Sequence, residues 1–282
     1  MNKGITLVCI FMVCFQGIFS QEPDTISVKK HPLLENRYLL ATGFFVNLKS
    51  VKIDVNGVLP SNPIDFGETL GMDRRENTFA FGFDWRFSKE MNWHASLEYF
   101  RIFNTQTTTI EDQIKWSNTI YPVGVILDSG IQVDLYRIFF GRVISRGMKH
   151  EFSGGLGIHT MNINSFIQGR AYIGSEDYAL DPGKKRVKVL APVPNIGFRY
   201  VYAPSVRWAV SARVEWFSLA IGEYSGRLWN LEPTVSFQLT KTFNIGMGYK
   251  YFKANIGVFK NVWEGGSDLL YQGPLFSLRG TF

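Results

Sequence analysis

Between Asn77 and Ser88 every second side chain is a large ring. Phe79, Phe81, Phe83, Trp85 and Phe87 alternate with Thr78, Ala80, Gly82, Asp84, Arg86 and Ser88. A helix would scatter those rings around its circumference, whereas an extended strand gathers them on one face and the polar set on the other. A fold that accepts this segment must offer one side of a sheet an apolar neighbour and the other side a polar one.

The same period recurs along the chain. Trp208, Val210, Ala212, Val214 and Trp216 alternate with Arg207, Ala209, Ser211, Arg213 and Glu215. Trp229, Leu231, Val235, Phe237 and Leu239 alternate with Asn230, Glu232, Thr234, Ser236 and Gln238. Phe243, Ile245, Met247, Tyr249 and Tyr251 follow, and Phe276, Leu278 and Phe282 close the chain. Weaker versions cover 37–48, 92–105, 131–146, 150–166 and 189–203. In 131–146 the alternation slips, with Leu135, Phe139 and Val143 opposing Tyr136, Ile138 and Ile144, so its facing stays open.

The connections alternate in length. Short polar turns fall at 88–92, 146–149, 203–207 and 240–242; longer polar loops fall at 56–76, 110–129, 169–187 and 260–270, with a shorter one at 222–227. This pattern predicts an all-β fold, a transmembrane antiparallel up-and-down β-barrel over residues 37–282 with ten strands and both termini periplasmic. Eight strands is the alternative if two weak segments are not independent.

Alternation alone does not say which face meets lipid. The polar set carries charge at mid-strand: Asp84, Arg86, Glu98, Arg199, Arg213, Glu215, Glu232, Lys250 and Arg279. Turning those outward would pack many Trp, Phe and Tyr into a small barrel without room for them. The rings also gather toward strand ends, with Trp85, Trp93, Tyr202, Trp208 and Phe282 near the tight turns and Trp216 and Trp229 toward the loops. Trp208 and Trp216, eight residues apart, span about 26 Å along a strand and about 20 Å once tilted, close to the apolar band of a membrane barrel. These rings are expected to form two interfacial girdles. Phe282, the last residue, is the type of terminal aromatic that barrel-assembly machinery reads, although Gly280 stands where a bulky residue is more usual.

Lys3 followed by the apolar run Ile5–Phe19 and small Ser20 has the layout of a secretory signal peptide, residues 1–20, with cleavage expected after Ser20. Cys14 follows Val13 rather than a small residue, which disfavours lipidation there. Both cysteines, Cys9 and Cys14, fall in the removed segment, so the mature chain is expected to hold no disulfide, zinc-thiolate site or cysteine nucleophile. Residues 21–36 read as a polar lead, a periplasmic tail or part of a plug. The net charge of +6 is mild and, in an exported chain, gives little reason to invoke nucleic acid.

Several segments carry a resemblance: Asp65-Phe66-Gly67-Glu68-Thr69-Leu70-Gly71-Met72-Asp73, Trp85-Arg86-Phe87, Tyr121-Pro122-Val123-Gly124, Ala191-Pro192-Val193-Pro194-Asn195-Ile196-Gly197 and Gly273-Pro274-Leu275. Through them the mature chain resembles a family of uncharacterised outer-membrane β-barrel proteins of Gram-negative bacteria. The resemblance implies fold and location, with lipid and the assembly machinery as partners, and no activity.

Four groups are candidate sites. The inward charges are nearly balanced in sign, which favours a salt-bridged filling over a narrow or gated pore. His159, in Gly154-Gly155-Leu156-Gly157-Ile158-His159-Thr160 with Ser153 and Ser165 nearby, is the one place for an outer-leaflet lipid or peptide hydrolase. A strand histidine among glycines that make room for bulky neighbours is the simpler account. Lys184, Lys185, Arg186 and Lys188 are placed in a long outer loop, either as a lipopolysaccharide contact or as a solvated loop foot. Asp65, Glu68, Asp73 and Glu76 lack an ordered calcium-loop spacing and are expected to be solvated. No catalytic group, metal or cofactor is expected. The sequence favours a structural or surface-interaction barrel, with a narrow channel for small solutes as the alternative.

Overall fold

A computed structural model describes residues 30–56, 64–116, 119–173, 176–178, 185–221, 224–260 and 263–282. Ten long strands run through them: β1 (Tyr38–Asn56), β2 (Arg75–Phe87), β3 (Trp93–Thr109), β4 (Ile126–Arg146), β5 (His150–Ile173), β6 (Lys185–Tyr202), β7 (Trp208–Ile221), β8 (Tyr224–Gln238), β9 (Phe243–Lys260) and β10 (Trp263–Thr281). Each pairs antiparallel with its neighbours in sequence. β10 then returns to β1, from Leu39↔Thr281 to Asn56↔Glu264, and the sheet closes. Closure satisfies the backbone groups that hydrocarbon would leave unpaired, each at a cost of several kcal/mol. The barrel is all-β, antiparallel and ten-stranded.

The rows of rings do point outward, but only over part of each strand. On β9, Ile245, Met247 and Tyr249 are exposed while Lys250 is buried inside; two residues on, Phe252 and Ala254 are inside and Lys253 is exposed. On β10, Phe276 and Leu278 face out against Arg279, yet Leu269 and Tyr271 face in and Asp268 faces out. β3 changes in the same way between Glu98 and Phe100. The inversion marks the level where the outer surroundings change from acyl chain to water. Above it the sheet behaves as a soluble barrel, polar outside and apolar inside.

This inversion corrects the expected loops. Residues 126–129 belong to β4, 169–173 to β5, 185–187 to β6 and 263–270 to β10. Their reversed phase broke the pattern that extended the strands below. The slip in β4 has a second source, a bulge at which the pairing jumps from Val143↔Ser153 to Ser145↔Phe152. The extra Ile144 reverses facing, so Leu135, Arg137 and Phe139 point inward above it and Arg146 below it.

The expected polar loops at 56–76 and 110–129 also contain a plug. Ile64–Asp65 bridges β1, and Ile114–Trp116 pairs with Thr119–Tyr121 as a hairpin. Phe66, Leu70, Met72, Trp116 and Tyr121 are buried with Phe45, Phe100, Leu135, Phe252 and Tyr271 of the wall in one apolar cluster. Phe66 and Trp116 meet edge to face at 6.0 Å, and the Trp116 indole donates to the Lys185 carbonyl at 3.1 Å.

The opposite end is floored by residues the sequence marked only as a lead. A single-turn helix, α1 (Pro32–Glu35), buries Leu33 and Leu34 against Val201, Ala203 and Ala209. His31 Nδ1 accepts from the Leu33 N–H at 3.1 Å and caps the turn. Burial of this imidazole lowers its pKa from 6.5 to about 4. The proposed leader, residues 1–20, lies outside the described residues.

Candidate functional site

Below the inversion level the lumen is crossed by ion pairs between walls far apart in sequence. Arg213 on β7 donates to Glu98 on β3 at 2.6 Å and to Glu232 on β8 at 2.5 Å. Lys250 on β9 closes the ring, bonding Glu98 and lying 3.1 Å from Glu232. Arg199 reaches Asp84 at 3.3 Å across the barrel. Near the floor, Glu151 receives Arg86 and Arg146, each at 2.9 Å, and Arg86 also donates to the Leu33 carbonyl at 2.7 Å. Arg279 donates to Ser236 Oγ at 3.1 Å. All nine lumen residues named from the sequence are therefore inside the barrel, and most meet one another.

The most deeply buried unit joins Glu215 and His159, both named from the sequence, to Arg137, which was not. Arg137 Nε donates to Glu215 Oε1 at 2.7 Å, a terminal guanidinium nitrogen bonds the same oxygen, and Nη1 donates to Ser96 at 2.9 Å. Glu215 Oε2 accepts from Asn230 at 2.7 Å and lies 3.4 Å from His159 Nε2. His159 Nδ1 is 3.1 Å from Asn195 Oδ1. Arg137 escaped notice because it sits in the strand whose phase slips, and Glu151 because it adjoins a turn. The glycines beside His159 supply the room: a Cβ on Gly157 would stand 2.9 Å from Asn195 Oδ1.

A cavity of about 110 Å³ remains among Asp84, His94, Glu98, Arg199, Arg213 and Arg279. That is room for roughly four waters at the volume each occupies in liquid. The cavity sits between the floor of α1 and the apolar plug.

The residues of the other candidate sites lie apart. Ser153 donates to the Arg199 carbonyl at 3.5 Å, and His159, six residues along the same strand, has Asn195 and Glu215 as partners instead. The serine and histidine suggested for a hydrolase are not brought together. The acidic loop is also dispersed, with Glu68 on Arg74 at 2.8 Å, Glu76 on Lys49 at 2.5 Å, and Asp65 accepting from the N–H groups of Gly67 and Glu68. Lys185, Arg186 and Lys188 are strand residues at the start of β6 rather than a loop foot, and Lys184 lies outside the described residues. A strand was overlooked there because the run carries no apolar alternation.

The outer face carries two bands of rings. Trp85, Trp93, Tyr202, Trp208 and Phe282 are exposed near the tight turns. The Phe282 ring lies 3.2 Å from where a Gly280 Cβ would stand, so the glycine leaves it space. Trp216 and Trp229, 6.3 Å apart, are exposed toward the other end, where Tyr136 is also exposed and half-buried Tyr99 lies 4.9 Å from it.

A closed antiparallel barrel of ten strands, with an apolar outer belt between aromatic bands and an ionic interior, has the fold of outer-membrane β-barrel proteins. The solved outer membrane protease OmpT from Escherichia coli is similar in fold, with a TM-score of 0.57 and 8% identity over 92% of this chain and 100% of that one. The toluene transporter TodX of Pseudomonas putida aligns at a TM-score of 0.36 and 8% identity over 93% and 95% of the two chains. Ail, the attachment invasion locus protein of Yersinia pestis, aligns at 0.31 and 9% over 86% and 99%. No family model and no curated protein matches the sequence. At 8% identity the likeness to OmpT is one of fold alone.

Proposed function

We propose that this chain is an integral protein of the bacterial outer membrane with a sealed lumen, its termini periplasmic, acting through its outer surface and rim rather than by conduction or catalysis. The observation that carries this reading is the double closure of the lumen. Ion pairs bridge its lower part from wall to wall, and Phe66, Leu70 and Trp116 fill its upper part. Side chains usually fill barrels of this size, and a hydrated ion path would have to cross both layers. The exposed apolar belt between the aromatic bands supports the membrane placement.

The refolded protein in planar bilayers tests the reading. Conductance is expected to stay at background, and a large, stable, open level would overturn the sealed lumen in favour of a narrow channel. Membrane fractionation and heat-modifiable migration on gels check the placement separately.

A further inference from the structure

The barrel wall is not continuous above the upper aromatic band. β6 and β7 pair from Tyr202↔Val210 up to Ile196↔Trp216, and there the ladder stops. Above it β6 remains paired with β5 from Asn195 to Lys185, and β7 with β8 as far as Ile221. Both strands continue upward as edges facing each other across a seam.

The sequence of β6 explains why the seam does not zip. In an antiparallel ladder successive residues direct their N–H and C=O groups to opposite neighbours. The N–H of Ala203 donates to the Lys149 carbonyl at 2.7 Å on the β5 side, so odd-numbered residues of β6 address β5 and even-numbered ones address β7. Pro192 and Pro194 are even-numbered, and each lacks the N–H that β7 would require. The same gap discourages an added strand from a peptide partner, since two consecutive donor positions are missing.

The position is also one a membrane protein tolerates. Unpaired sheet edges do not occur in hydrocarbon. The ladder ends at Ile196↔Trp216, and Trp216 belongs with Trp229 to the upper aromatic band, whose rings sit at the membrane–water interface. The seam therefore opens at the headgroup level of the outer leaflet.

Its surroundings have two chemistries. Leu190, Pro192 and Ile196 are exposed on the outer face of β6 and Trp216 on that of β7, while Leu219 is exposed toward the barrel mouth. Just above Leu190, on the same outward face, come Lys188 and Arg186, and Arg227 lies across the seam where it pairs with Ser218. None of these three cations has a salt bridge among the described residues. Ser218, Leu219 and Ala220 also form one wall of a cavity of about 390 Å³ at the barrel mouth.

We propose that the seam between β6 and β7 is a lateral binding notch for an outer-leaflet phosphoglycolipid. Its phosphate would meet Arg186 and Lys188, and an acyl chain would lie along the outward side chains of Leu190, Pro192, Ile196 and Trp216. Apolar length beside unpaired cations at headgroup depth suits such an amphiphile better than a soluble anion. The proposal rests on the outer-membrane reading above. Membrane fractionation reports on that reading, whereas the binding measurement below is made in detergent on folded protein.

Native mass spectrometry of the refolded full chain would compare three probes: diphosphorylated lipid A, the same lipid with its phosphates removed, and inorganic phosphate. The first should bind and the other two should not. The Arg186→Ala/Lys188→Ala variant should bind lipid A at least about tenfold more weakly, the loss expected for removing charge-assisted bonds worth about 1.4 kcal/mol or more. Pro192→Thr/Pro194→Thr restores the missing donors and keeps both cations; it should extend the β6–β7 ladder and weaken binding by a similar factor. Heat-modifiable migration verifies that each variant is folded. Equal binding of the dephosphorylated lipid, or unchanged binding by both folded variants, would overturn the notch.

Discussion

The lower and upper parts of one lumen are filled by opposite means. Below the inversion level Glu98, Glu215 and Glu232 are held by Arg137, Arg213 and Lys250. Above it Phe45, Phe100, Phe252 and Tyr271 pack with the plug residues. The backbone is the same and only the outer surroundings differ. In the bilayer the outward positions must be apolar, and the alternate positions inside are polar and paired. In water the outward positions are polar, and the inside can form an ordinary core. The two fillings should therefore respond differently to small chemical changes.

Removing charge from the ionic part should have the largest effect. Glu215→Gln keeps the shape but leaves Arg137 without its counter-charge, at an expected cost of about 3–5 kcal/mol. Urea unfolding in lipid vesicles measures it. Arg137→Met/Glu215→Leu, which removes both charges, should recover much of the loss. A single variant as stable as the parent would show that the ionic part is more hydrated than its geometry implies.

In the apolar part a change of shape at constant polarity should be milder. Phe252 stacks with Tyr271 at 6.1 Å and is fully buried. Phe252→Leu should cost about 1–2 kcal/mol, less than the 3–5 kcal/mol typical of truncation to Ala. The same unfolding assay ranks the two variants, and equal losses for Phe252→Leu and Glu215→Gln would erase the distinction.

The most local effect is expected at the floor, outside the bilayer. Burial favours neutral His31, so its folded pKa of about 4 lies below the unfolded value. The associated stability is present above about pH 6.5 and is lost as the pH falls toward 4, because the unfolded lead binds the proton first. Hydrogen exchange at Leu33–Asn36, corrected for intrinsic rates, should speed up over that window. His31→Asn keeps a capping acceptor but cannot take up the proton, and should flatten the dependence. An unchanged slope in that variant would remove His31 from the account.

The ten strands were legible wherever the outer face meets lipid, because there the period is both strong and one-sided. The nine inward charges were legible for the same reason, since Asp84 between Phe83 and Trp85, or Arg213 between Ala212 and Val214, has only one face to occupy. Arg137 and Glu151 were not, one hidden by the Ile144 bulge and the other by its nearness to a turn. The plug was hidden because Phe66, Leu70 and Trp116 lie in segments with no period at all.

Alternation along the chain by itself determined the sheet, its apolar outer belt and the ionic character of the lower lumen, because side-chain direction in a strand depends only on parity. Which carboxylate meets which cation, where the facing inverts, how the plug fills the mouth and where β6 and β7 part were decided by tertiary structure. Those features depend on strand register and closure, which bring Arg213 to Glu98 and Arg137 to Glu215 across gaps that no local pattern records.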